Sequence, residues 1–80
     1  MGSIWPACEV RVNELRKLPH HEGQLVLDVV APDREVKVFV QHGRYWVDCA
    51  ITCGTVKCVR LMTGHDTVEE ARGAALLDFA

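Results

Sequence analysis

Four cysteines, at 8, 49, 53 and 58, and four histidines, at 20, 21, 42 and 65, are the residues of this chain best suited to chemistry. Between them they could hold a metal, form disulfides, or pair as nucleophile and base. Structural zinc sites draw on Cys-x2-Cys knuckles, whereas Cys49-x3-Cys53-x4-Cys58 has a different spacing. No metal and no cofactor is therefore expected. A cysteine nucleophile needs a base beside it, and His42 and Cys53 mark turns at opposite ends of the strand between them. His20-His21 reads as a solvated loop pair. Gly-rich phosphate loops and Ser-His-Asp arrangements are absent from the sequence. The expectation is a protein that is not an enzyme.

What must position these residues is a single domain spanning 1–80, because 80 residues leave no surplus for a second core. Hydrophobic residues make up 49% and charged residues 25%, a globular composition rather than a disordered one. Nine Lys/Arg against eleven Asp/Glu give a net charge of −2, which argues against wholesale polyanion binding. No apolar run approaches the roughly 18 residues of a membrane-spanning helix. Met1-Gly2-Ser3-Ile4-Trp5-Pro6 carries no basic stretch followed by an apolar one. A cytoplasmic location is expected.

Period two dominates the middle of the chain. Leu25, Leu27 and Val29 alternate with Val26, Asp28 and Val30, and Val36, Val38 and Val40 alternate with Glu35, Lys37, Phe39 and Gln41. Tyr45, Val47, Cys49 and Ile51 follow, then Val56 and Cys58. Pro32-Asp33, His42-Gly43 and Cys53-Gly54 supply the turns: Pro presets φ, and Gly accepts the positive φ of a two-residue hairpin. Cys8, Val10 and Val12 add a further strand, and Glu14–Gly23 is a connection with room for one helical turn. After Gly64-His65 the period becomes helical. Asp66 or Thr67 caps, Glu69 or Glu70 sits three residues on, and Val68, Ala71, Ala75 and Phe79 form one stripe with Leu76 beside it. Gly73 interrupts this helix at a cost of about 1 kcal/mol and offers a close approach to the sheet. The fold class expected is α+β: an antiparallel β-meander of four or five strands with one C-terminal helix packed on one face.

The turns fix the register. Val40 should face Tyr45, Val38 Val47, Val36 Cys49, Val29 Val36, Leu27 Val38 and Leu25 Val40, all on the helix side. About Cys53-Gly54, Ile51 should face Val56, and Cys49 should face Cys58 closely enough to bridge under oxidation; free thiols are expected in a reducing compartment. On the outer face Asp28, Lys37 and Asp48 form a charge ladder. Beside it Val26, Phe39, Trp46 and Leu61 line up, rimmed by Lys37 and Arg44, in the manner of a binding hot spot. Val26, Lys37, Phe39, Arg44, Trp46 and Leu61 are the candidate partner-binding residues, and Trp46→Ala should cost binding and little stability. In the other reading, Ile4 and Trp5 fold back over this face. Lys37, Arg44 and Lys57 between aromatics also resemble a single-strand binder, but Asp28, Asp48 and Glu35 on the same face repel phosphate.

The string Gly43-Arg44-Tyr45-Trp46-Val47-Asp48-Cys49 resembles a strand of small anti-CRISPR proteins of phages and mobile elements. That resemblance implies a stoichiometric inhibitor that binds a CRISPR effector complex in the host bacterium and blocks DNA recruitment or cleavage, with no catalysis. The alternative is a small nucleic-acid-binding or regulatory β-sheet module of a bacterium or phage. A homodimer, through a sheet edge or the apolar row, is open in either case.

Overall fold

A computed structural model describes residues 9–53, 55–77 and 79, with the side chains of 53 and 57–59 left aside. Five strands, β1 (Arg11–Glu14), β2 (Leu25–Ala31), β3 (Arg34–Gln41), β4 (Arg44–Cys53) and β5 (Val56–His65), precede one helix, α1 (Val68–Leu77). Each strand pairs antiparallel with the next, in the order β1-β2-β3-β4-β5. The α+β meander with a C-terminal helix is the architecture that the alternation and the turns imply.

Two of the turns behave as their residues require. Pro32-Asp33 joins β2 to β3, and His42-Gly43 joins β3 to β4. His42 has φ 55° and Gly43 φ 72°, so both central residues are left-handed, as the twist of a two-residue hairpin demands. The expected pairs Val40–Tyr45, Val38–Val47, Val36–Cys49, Val29–Val36 and Leu27–Val38 all occur. Their inner side chains, with Ala71 and Ala75 of α1, form the core: Val29, Val36, Ala71 and Ala75 are fully buried. Val68, Leu76 and Phe79 pack at its margin, completing the expected stripe. Thr67 caps the helix, its hydroxyl accepting from the Glu70 N–H at 3.2 Å, while the Asp66 carboxylate turns instead to Arg44 at 3.3 Å.

Elsewhere the register departs from strict alternation. Leu25 faces Phe39 and Leu27 faces Val38, so Val26 is the extra residue of a bulge in β2. The bulge sends Val26 inward, where it is 2% exposed, and turns Leu25 to the outer face rather than opposite Val40. In the last hairpin Cys53 belongs to β4 and pairs with Val56, so it is not the turn residue expected from Cys53-Gly54, and a second irregularity lies between Ile51 and Thr52. Ile51 faces Val59 and Thr52 faces Lys57, so Cys58 is the extra residue. Cys49 therefore faces Leu61, not Cys58, and the cross-strand cysteine pair expected from the sequence does not form part of the register. Gly54 and Cys8 lie outside the described residues, as does any cover from Ile4 and Trp5.

The connection from Leu15 to Gln24 is irregular and makes no helical turn. Its backbone is held by the sheet instead: Leu15 donates to the Val26 carbonyl (2.7 Å) and Gly23 to the Val40 carbonyl (2.6 Å). Gly73 does not serve a close approach, since a Cβ there would meet nothing within 4 Å. Gly73→Ala should accordingly raise stability by about 1 kcal/mol, read as a higher urea midpoint at unchanged m-value. A loss of stability would show that the helix needs glycine at this point.

Candidate functional site

Of the six candidate contact residues, four share the outer face. Phe39 faces Trp46 across β3 and β4, Lys37 faces Asp48 one rung away, and Arg44 lies beyond Trp46 beside the turn. The other two do not belong to the row. Val26 is in the core because of the bulge, and Leu61, opposite Cys49, lies on the helix side, where it is 60% exposed. Two residues that strict alternation missed take their places on the outer face. Leu25 faces Phe39, and Met62 faces Asp48; they are 44% and 51% exposed.

Trp46 is the best-anchored member. Its partner on β5 is Gly64, and the indole lies over that glycine so closely that an added Cβ would come within 3.0 Å of the ring. The indole N–H donates to the Gln41 carbonyl at 2.9 Å, and the Arg44 guanidinium stacks 5.6 Å from the ring centroid. The half-buried indole thus covers sheet backbone as well as presenting surface, so Trp46→Ala carries a cost to the fold that the alternation pattern alone did not foresee.

Three of the cations on this face are matched by acids. Lys37 lies 3.7 Å from Glu35, Arg44 pairs with Asp66, and Arg60 grips Asp48 through two hydrogen bonds of 3.1 and 2.7 Å. The expected ladder Asp28–Lys37–Asp48 is present. Asp28 is its costly rung: its Oδ1 is buried and has no hydrogen-bond partner among the described residues. Burial, and then the neighbouring Glu35 carboxylate, raise its pKa above the usual 3.8, against a weaker opposing pull from Lys37. A folded-state pKa above the unfolded one means that the charged form works against folding at neutral pH. That penalty is relieved as pH falls through the folded value and is gone below the unfolded one. Asp28→Asn, whose amide can donate to Glu35, should raise the melting temperature at pH 7 by a few degrees, about 1 kcal/mol, and have little effect near pH 3. A lower melting temperature at pH 7 would contradict this.

A cavity of about 420 Å³ lies on the other side between the β1–β2 connection and the start of α1, lined in part by Glu14, Arg16, His20 and Arg72. Its charged groups are engaged with each other. Burial pushes the Glu14 carboxyl up, but Arg72 and Arg16 outweigh it and hold the group below its usual 4.5. Both arginines donate to Glu14, which ties β1 to α1. His20, expected to be solvated, is instead a pin between loop and sheet. Its Nε2 lies 3.2 Å from the Leu15 carbonyl, its Nδ1 3.0 Å from the Tyr45 hydroxyl, and the two rings meet edge to face. A carbonyl only accepts, so Nε2 carries a proton there, and in the neutral tautomer that this fixes Nδ1 accepts from the Tyr45 hydroxyl. Among the described residues, no three His, Cys, Asp or Glu side chains come together as metal ligands, and no helix is long and apolar enough to cross a membrane. Compared with protein-family models, with curated proteins and with solved structures, the chain matches none.

Proposed function

We propose that the protein acts by binding a protein partner, without turnover, through the outer face of β2 to β5. The observation that carries this reading is the composition of that face: Leu25, Phe39, Trp46 and Met62 lie together on the side away from α1, and the charges around them are locally paired. An apolar centre with a neutralised polar rim suits protein association. The same pairing disfavours the nucleic-acid alternative, because Lys37, Arg44 and Arg60 each already hold a carboxylate. The resemblance of the Gly43–Cys49 string to anti-CRISPR proteins makes a CRISPR effector complex the partner to try, with inhibition by occlusion of DNA recruitment or cleavage in the host cytoplasm.

Purified effector complexes should be captured by the wild-type chain. Leu25→Arg and Lys37→Glu, both at exposed outer positions, should weaken capture more than tenfold, about 1.4 kcal/mol or more. Glu69→Lys, on the exposed side of α1, should leave it unchanged. Effectors that ignore the wild type would remove the CRISPR reading, and equal capture by all variants would remove the outer face. A salt-dependent gel shift by the protein alone would favour the nucleic-acid module.

A further inference from the structure

Among the described residues the sheet has two open sides, β1 and β5, and they are built differently. β1 is only four residues long, and its Glu14 is bound by Arg16 and Arg72. β5 is ten residues long. In a two-residue hairpin the residues flanking the turn exchange both main-chain hydrogen bonds, so Gln41 and Arg44 form such a pair. Alternating along β4, Tyr45, Val47 and Cys49 then direct their N–H and C=O groups to β5, where His65, Thr63 and Leu61 face them. Arg60, Met62 and Gly64 consequently direct theirs to the open side. A row of main-chain donors and acceptors that no described strand pairs with is complementary to another β-strand.

We infer that this strand is β5 of a second copy of the chain, paired antiparallel about a two-fold axis at Leu61. Two-fold pairing within one continuous sheet matches residues of like face, so the paired numbers must have an even sum. The midpoint of Val56–His65 then allows centring on residue 60 or on residue 61. Centring on 60 sets Arg60 against the partner's Arg60, a like-charge contact. Centring on 61 sets Arg60 against the partner's Met62, with matching main-chain groups, and places Leu61 against the partner's Leu61 at a non-hydrogen-bonded pair, where side chains come closest. Leu61 there adjoins an apolar groove of about 170 Å³ beneath α1, lined by Val36, Val47, Cys49, Ala74 and Leu77. Leu61 and Leu77, 60% and 73% exposed in the single chain, are thus drawn into one seam. The extra residue at Cys58 ends the regular pairing beyond Val59. The pairing takes in Met62 and Arg60 of the outer face but leaves Leu25, Phe39 and Trp46 untouched, so Leu61→Glu, on the helix side, tests it apart from the partner-binding reading.

Sedimentation equilibrium in reducing buffer, from about 1 μM to 1 mM, should show the mass rising from 8.9 kDa toward twice that value. Leu61→Glu should raise the dissociation constant more than about tenfold, with circular dichroism unchanged because the side chain is exposed. Met62→Pro should do the same, since the N–H it removes points away from β4. Leu61→Cys should add a reducible dimer that Thr63→Cys does not, because only residue 61 meets itself. A mass of 8.9 kDa throughout, association that survives both Leu61→Glu and Met62→Pro, or equal cross-linking by the two cysteine variants would overturn the proposal.

Discussion

Ala71→Leu should destabilise the protein by about 3 kcal/mol, with the midpoint of urea unfolding as the measure. A domain of this size has only about 4–12 kcal/mol in total, so the loss takes about a quarter or more of its stability. Ala71 has no exposed surface, and it belongs to the same core cluster as Val29, Val36 and Val38. Its small side chain sets how closely α1 lies on the sheet, and since Ala71 lines neither of the cavities described, three added carbons must displace their neighbours. The helix must lift or tilt, which also opens the packing of Ala75 one turn on. Leu77, on the same helix and 73% exposed, supplies the contrast: Leu77→Ala should change stability by no more than about 0.5 kcal/mol. If both substitutions cost the same, helix propensity rather than the fit of the helix governs stability.

Trp46→Ala and Gly64→Val should each cost about 2 kcal/mol, and the double variant should cost about 1 kcal/mol less than their sum. The first removes the indole that covers Gly64 and donates to the Gln41 carbonyl; the second drives a Cβ to within 3.0 Å of that indole. Once the indole is gone, the valine side chain introduced on β5 has space beside the shortened side chain on β4. It then contributes its own β propensity, which is the origin of the coupling. The tryptophan emission of Gly64→Val should shift to the red as the ring is displaced. Simple additivity would mean that the ring and the glycine do not act as a unit. The prediction also bears on function, because a loss of binding in Trp46→Ala mixes contact with stability, and Lys37→Glu does so too by crowding Asp28, Glu35 and Asp48, whereas Leu25→Arg, at an exposed side chain, does not.

Much of the meander was legible because its turns carry their own chemistry. Pro32-Asp33 and His42-Gly43 fix where two hairpins close, and Val36, Val38 and Val40 can only face one way once they do. The bulges were not legible. Leu25-Val26-Leu27 is apolar at both parities, so alternation cannot reveal that one residue is extra until Asp28 restores the phase. In the last hairpin two effects add: Cys53 pairs with Val56 instead of forming the turn, which moves the register by two, and the extra residue at Cys58 adds one, so Cys49 faces 61 in place of 58. Those two irregularities decided the candidate site, because they exchange Val26 for Leu25 and Leu61 for Met62. The cover of Gly64 by Trp46 and the His20–Tyr45 contact depend on register and on a loop's path, which no local pattern encodes.

Strand order equal to chain order has a consequence for how the molecule is made. Every strand finds its neighbour immediately before it in the chain, so the loops to be closed are short and the sheet can grow hairpin by hairpin as it leaves the ribosome. Its cover arrives after the last strand. Val29, Val36, Val38 and Val47 must wait for Ala71 and Ala75, which follow the end of β5 by 6 and 10 residues, roughly a second of synthesis. For that interval the nascent chain is an assembled sheet with one greasy side uncovered, and a pause between His65 and Leu77 would lengthen its exposure to chaperones and to its neighbours on the polysome.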